Sequence, residues 1–278
     1  MRSTLTVASL TLREAGRRRI LLAALVCGAA FVALFAIGFH YMVKGVSART
    51  VKNALERPII LTFFTLAGLY ATNFLSIMTA VLLPIDTLSG EIASGVMQTL
   101  ASKPVRRSEI LLGKWIAFVT IAVCYLGLLA GGVLLTARIE GGLLPPRLAQ
   151  GLPLMALEVS VLVTLSILGG TRFSTVTNGV IVFGLYGLAF IGSWVEQIGT
   201  IAGNDAARTI GTVASLIMPS ESMWQLAAHH MQPVLMSQLQ LTPFSPASVP
   251  SPAMVAWTGG YVVVALIAAL IQFSRRSL

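Results

Sequence analysis

Ten carboxylates and three histidines are the side-chain groups of this 278-residue chain whose ordinary pKa values lie below neutrality, and they are thinly spread. Glu158 stands in residues 148–171, a run with no other charge. An acid there costs roughly 2.5 kcal/mol or more if it faces hydrocarbon, so it faces the interior or finds a donor. Two readings stay open: a polar point on a translocation path, or a helix-packing hydrogen bond to Ser or Thr on a neighbour. Glu196 reads as an interfacial residue, and Asp205 and Glu221 carry less weight still.

His229 and His230, with His40, raise the question of metal, and Met218, Met223, Met231 and Met236 could add soft ligands. Adjacent histidines on a helix point about 100° apart, and no Cys or acid cluster supports them, so no metal site is expected. The methionines are irregularly spaced and read as adaptable packing. Cys27 and Cys124 lie inside apolar runs and read as small hydrophobic filler, without the paired spacing of a disulfide or metal site.

No Ser-His-Asp pattern, H-E-x-x-H motif or pair of cytoplasmic carboxylates is present, so an enzyme reading is rejected. A phosphate-cradling loop needs G-x-x-x-x-G-K-[ST], and Gly113-Lys114 is followed by Trp115.

The elements that would position these groups are membrane helices. The chain is 56% hydrophobic and 10% charged, with mean hydropathy +0.85. About 20 apolar residues cross a bilayer as a helix. Six stretches qualify: 20–43, 59–85, 110–136, 148–171, 173–195 and 254–273. The expected fold is all-α, one polytopic domain over 1–278. The first span is too long for a removable signal peptide and lacks a cleavage site of the usual kind.

Net charge +9 does not imply nucleic acid, because the bases sit at span ends. With the N-terminus inside, twelve of the 19 bases are cytoplasmic and seven are outside, which places both termini in the cytoplasm.

Residues 1–19 are expected to form a short cytoplasmic elbow helix with Ser3 as a cap and Leu5, Ala8, Leu12 and Ala15 on one face. Spans four and five are joined by a few residues and should be antiparallel neighbours. Residues 196–253 hold an apolar segment that ends at Pro219 and another that begins near Glu221. They read as an outer re-entrant or surface-lying helical hairpin followed by a Pro-rich lead. No internal repeat of the secondary-transporter kind is visible, and one intramembrane Glu argues against proton coupling.

Residues 86–109 hold more acids and bases (Asp, Glu, Lys and Arg) than any other interspan stretch. On a helical wheel Ile85, Leu88, Ile92, Val96 and Leu100 share one half, and Gly90, Glu91, Ser94 and Gln98 the other. This predicts an amphipathic cytoplasmic helix with Asp86 or Ser89 as its cap, ended by Pro104. Glu91 is the first candidate for a partner contact, where a carboxylate can meet an Arg or backbone donors. The plain alternatives are a solvated acid and a helix that floats in the interface.

The order Glu91, Gly95, Leu100, Ser102, Lys103, Pro104, Val105, Arg107, Gly113, Lys114 resembles the first cytoplasmic loop of permease subunits of type-2 ATP-binding-cassette (ABC) exporters. The six-span layout, elbow helix and outer hairpin extend the likeness over nearly the whole chain. It is most similar to permeases grouped with the nitrous oxide reductase maturation system. Gly95-Val96-Met97-Gln98 departs from the more polar Gly-Thr-like step of many relatives.

The resemblance implies that residues 86–109 form a coupling helix, with Asp86, Glu91, Ile92, Val96, Leu100, Lys103 and Arg107 contacting a cytoplasmic ABC ATPase. That ATPase, two copies per complex, would bind ATP and Mg; this chain would bind no cofactor. It further implies a homodimer, or a heterodimer with a sister permease, in the cytoplasmic (inner) membrane of a prokaryote, in contact with lipids. Glycines such as Gly131, Gly132, Gly184 and Gly187 would allow close helix approach. The expected function is export of an unidentified substrate. The alternative is a non-transporting membrane scaffold or regulator that recruits an ATPase.

Overall fold

The computed structural model describes residues 2–48, 56–93, 106–233 and 248–275. Regular structure among them is entirely helical. The helices are α1 Arg2–Ala15, α2 Arg19–Ala48, α3 Glu56–Ala93, α4 Arg107–Thr136, α5 Leu148–Gly170, α6 Thr175–Ala202, α7 Asp205–Ile217, α8 Ser220–Met231 and α9 Pro252–Arg275. A π-helical turn, Ala137–Gly141, extends α4. Six of these, α2 to α6 and α9, are long and apolar enough to cross a membrane.

The central helix is α5. It is apolar on every side, as a helix surrounded by others must be, and Met155, Val159, Val161, Leu162 and Val163 have no exposed surface. Helices α3, α4, α6, α8 and α9 pack around it. In α3, Pro84 has no N–H to give the preceding turn, and Ser166 of α5 donates to the carbonyl of Val81 in that turn at 2.9 Å. Helix α2 lies at the periphery, pinned where Tyr125 Oη donates to the carbonyl of Ala24 at 2.9 Å. At its far end His40 Nδ1 lies 2.9 Å from Glu140 Oε2 on the π-helical turn.

Helix α1 packs against α4 through the small residues of the expected face. Ala8 and Ala15, with Thr11, are buried, while Leu5 and Leu12 of that face, and Leu10, point outward. The reason is size: a side chain on Gly113 of α4 would meet the Thr4 carbonyl oxygen at 2.8 Å and Val7 at 2.8 Å. Small residues let the backbones approach closely. Ser3 lies within this helix, not ahead of it.

The turn from α5 to α6 is short, as expected. Ser174 caps α6 by accepting from the Thr177 N–H at 3.5 Å. Asn178 Nδ2 donates to the Ser166 carbonyl at 2.8 Å, and Gly169 makes room for it. Helix α6 runs to Ala202, because nothing helix-breaking intervenes before Gly203, which takes the left-handed conformation at φ 65°.

Asn204 then caps α7 through Ala206 and Ala207 N–H at 3.1 and 3.2 Å. Helix α7 folds back on α6 over Gly192, Gly199 and Gly211. The tight helical pair is thus α6 with α7. Helix α8 turns away and docks on α5, where Gly151 receives Met231. Met218, Met223 and Met231 are fully buried as packing residues, and Met236 lies outside the described residues.

Candidate functional site

Glu158 projects from the middle of α5 and has no exposed surface. Its donor is an amide: Asn73 Nδ2 of α3 donates to Glu158 Oε2 at 2.9 Å. A buried carboxylate is tolerable only when hydrogen-bonded, and this bond also ties α3 to the central helix. The other oxygen, Oε1, has no partner among the described residues, nor has Asn73 Oδ1.

A second carboxyl completes the cluster. Glu221, in the first turn of α8, is 5% exposed, and its Oε2 also lacks a partner among the described residues. It is within electrostatic reach of Glu158, of Tyr70 on α3 and of Tyr186 on α6. Burial pushes the Glu221 carboxyl up to about 8. Neither Asn73 nor Glu221 stood out in the sequence. Asn73 left a signal, an amide in mid-span; Glu221 looked like any acid after a proline, because its burial depends on α8 folding inward.

Beside Glu221 lies a cavity of about 70 Å³, bordered by Tyr70, Trp194, Gln197 and Trp224. Tyr70 and Trp224 meet with ring centroids 5.2 Å apart and planes inclined at 50°. Gln225 Nε2 donates to Ser193 Oγ at 2.6 Å and closes one side.

His229 and His230 are neighbours on α8 with ring centroids 5.9 Å apart. Burial, then His229 and Arg147, holds the His230 imidazole below its usual value. Among the described residues no three His, Cys, Asp or Glu side chains are grouped as metal ligands. Cys27 and Cys124 are free and exposed at the bundle surface.

Of the expected coupling residues, Val96, Leu100 and Lys103 lie outside the described residues. Asp86, Glu91 and Ile92 belong to α3, which runs unbroken from its span to Ala93, so Asp86 and Ser89 lie inside a helix and do not cap one. Arg107 opens α4 and donates to the Ser274 carbonyl of α9 at 3.4 Å. The described chain therefore enters this stretch directly out of α3, and resumes after it at a contact between α4 and α9.

Nearly the whole chain, residues 5–278, matches the family model described as ABC-2 family transporter protein. No curated protein matches the sequence.

Proposed function

The chain belongs to the ABC-2 transporter family as a membrane-spanning permease component, and we propose that it exports its substrate with ATP hydrolysed by a separate subunit. The observation that carries this reading is the family match over six membrane helices in a chain without a G-x-x-x-x-G-K-[ST] loop. Energy then has to arrive by contact, and residues 86–109 are the place for it.

Glu91 offers the partner ATPase a carboxylate, and Ile92, Val96 and Leu100 offer an apolar stripe. Asp86, Lys103 and Arg107 flank the docking surface. The continuity of α3 supports a mechanical reading. Force applied near Glu91 passes along one helix to Asn73, about 27 Å away at 1.5 Å per residue. There it meets Glu158 and the central helix. Two ATPases and two permease copies, identical or sister chains, would form the complex in a prokaryotic cytoplasmic membrane, with both termini cytoplasmic. Likeness to permeases of the nitrous oxide reductase maturation system suggests the branch, and Glu158 is assigned to the pathway wall.

The test is capture of the tagged chain from its native membrane, followed by identification of co-purifying nucleotide-binding subunits. Glu91→Lys and Val96→Asp, at equal membrane abundance, are expected to lose the ATPase that the native chain retains. Retention of the ATPase in both variants would remove residues 86–109 from the docking surface.

A further inference from the structure

Beyond export as such, we propose that the cavity between α3, α6 and α8 binds a small organic ammonium cation, held by the Glu221 carboxylate against the rings of Tyr70, Trp194 and Trp224. As a point of cargo recognition it rests on the permease reading; as a binding site it stands on its own geometry.

A cavity of about 70 Å³ exceeds the roughly 10–15 Å³ that one water needs, so it can take a small headgroup. Its walls combine two features. Tyr70 and Trp224 form an inclined aromatic corner, with Trp194 as a third ring on α6. Ring faces attract cations through the negative face of the aromatic quadrupole.

The second feature is Glu221, buried, on the cavity wall, with an oxygen that no described group satisfies. A buried acceptor left unpaired costs free energy, and a cation removes that cost. Gln197 and Gln225 supply amides for polar substituents. Among the described residues no Lys or Arg borders the cavity to compete for the carboxylate.

Binding is linked to protons. The titratable groups in electrostatic reach of Glu221 are Tyr70 on α3, Glu158 on α5 and Tyr186 on α6; α7 and α9, the other helices packed on α8, bring no charge into that reach among the described residues. With the carboxyl of Glu221 titrating at about 8, the cation displaces a proton, and affinity rises with pH up to that point and levels off above it.

The experiment is equilibrium binding of radiolabelled tetramethylammonium to the full chain in lipid nanodiscs without ATPase, at pH 6 and pH 9. The site predicts saturable binding, tighter at pH 9 and not displaced by excess tert-butanol, a neutral molecule of similar shape, or by sodium. Glu221→Gln should weaken it at least about tenfold, because a buried charge loses its partner. Trp224→Leu, which keeps an apolar side chain but removes the ring face, should weaken it by a factor of up to about ten.

Absent or pH-independent binding, displacement by sodium, or equal binding in Glu221→Gln would each overturn the proposal. If Glu221→Gln does not reach the membrane, the pH profile and tert-butanol control on the native chain decide alone. Because no ATPase is present, failure here sinks the site and leaves ATPase docking to its own test.

Discussion

Asn73 and Glu158, both buried, form a hydrogen bond between two helices. Replacing Asn73 by Leu leaves Glu158 Oε2 without its donor, and an orphaned buried polar group costs about 1–3 kcal/mol. A thermal unfolding series in detergent should place Asn73→Leu clearly below the native chain; coincident curves would show that the bond contributes nothing. Glu221 makes a prediction with a sign. Its carboxyl goes from an ordinary 4.5 to about 8 on folding, so the folded chain holds a proton that the unfolded chain releases. Stability is therefore greatest below 4.5, falls as pH rises from there to about 8, and is level above. Glu221→Gln should flatten that slope, and an unchanged slope in the variant would place the titrating group elsewhere. Glu158 was legible in the sequence as a lone acid in an apolar run, because charge in hydrocarbon is conspicuous whatever the fold. Its partner was not, since either a hydroxyl or an amide could serve and only the packing of α3 on α5 selects Asn73.

At the scale of elements, the packing of α1 on α4 turns on Gly113. A leucine there has no room beside the Thr4 carbonyl and Val7, so Gly113→Leu should lever α1 away from the bundle. Limited trypsin digestion checks this at Arg13, which lies on α1, and cleavage should be faster in the variant than in the native chain. Within the shared face of the same helix, a close crossing selects the small Ala8 and Ala15, and the larger Leu5 and Leu12 turn outward. Hydropathy did locate the helices on either side of Pro219, but not their partners. Glycines 192, 199 and 211 pair α6 with α7, its immediate successor across the Gly203-Asn204 turn, rather than pairing the two helices that flank Pro219. The stop at Gly203 was legible in principle, as a glycine followed by a capping asparagine.

Across the whole molecule, the six membrane helices followed from composition and length, because a bilayer sets one demand that every span meets. Function was legible at one remove, through the motif between spans two and three, and the family match extends that over residues 5–278. The proposed line of force runs from Glu91 along α3 to the buried cluster at Glu158 and the cavity beside Glu221, and the proposal it serves is that a separate ATPase drives this chain. The most direct measurement is Mg-ATP hydrolysis by the assembly isolated on the tagged native chain, beside the same isolate from Glu91→Lys. Coupling of this kind requires an ABC ATPase and steady hydrolysis in the first, and loss of both in the second at equal permease abundance. A native isolate with the permease intact but neither ATPase nor hydrolysis would contradict it.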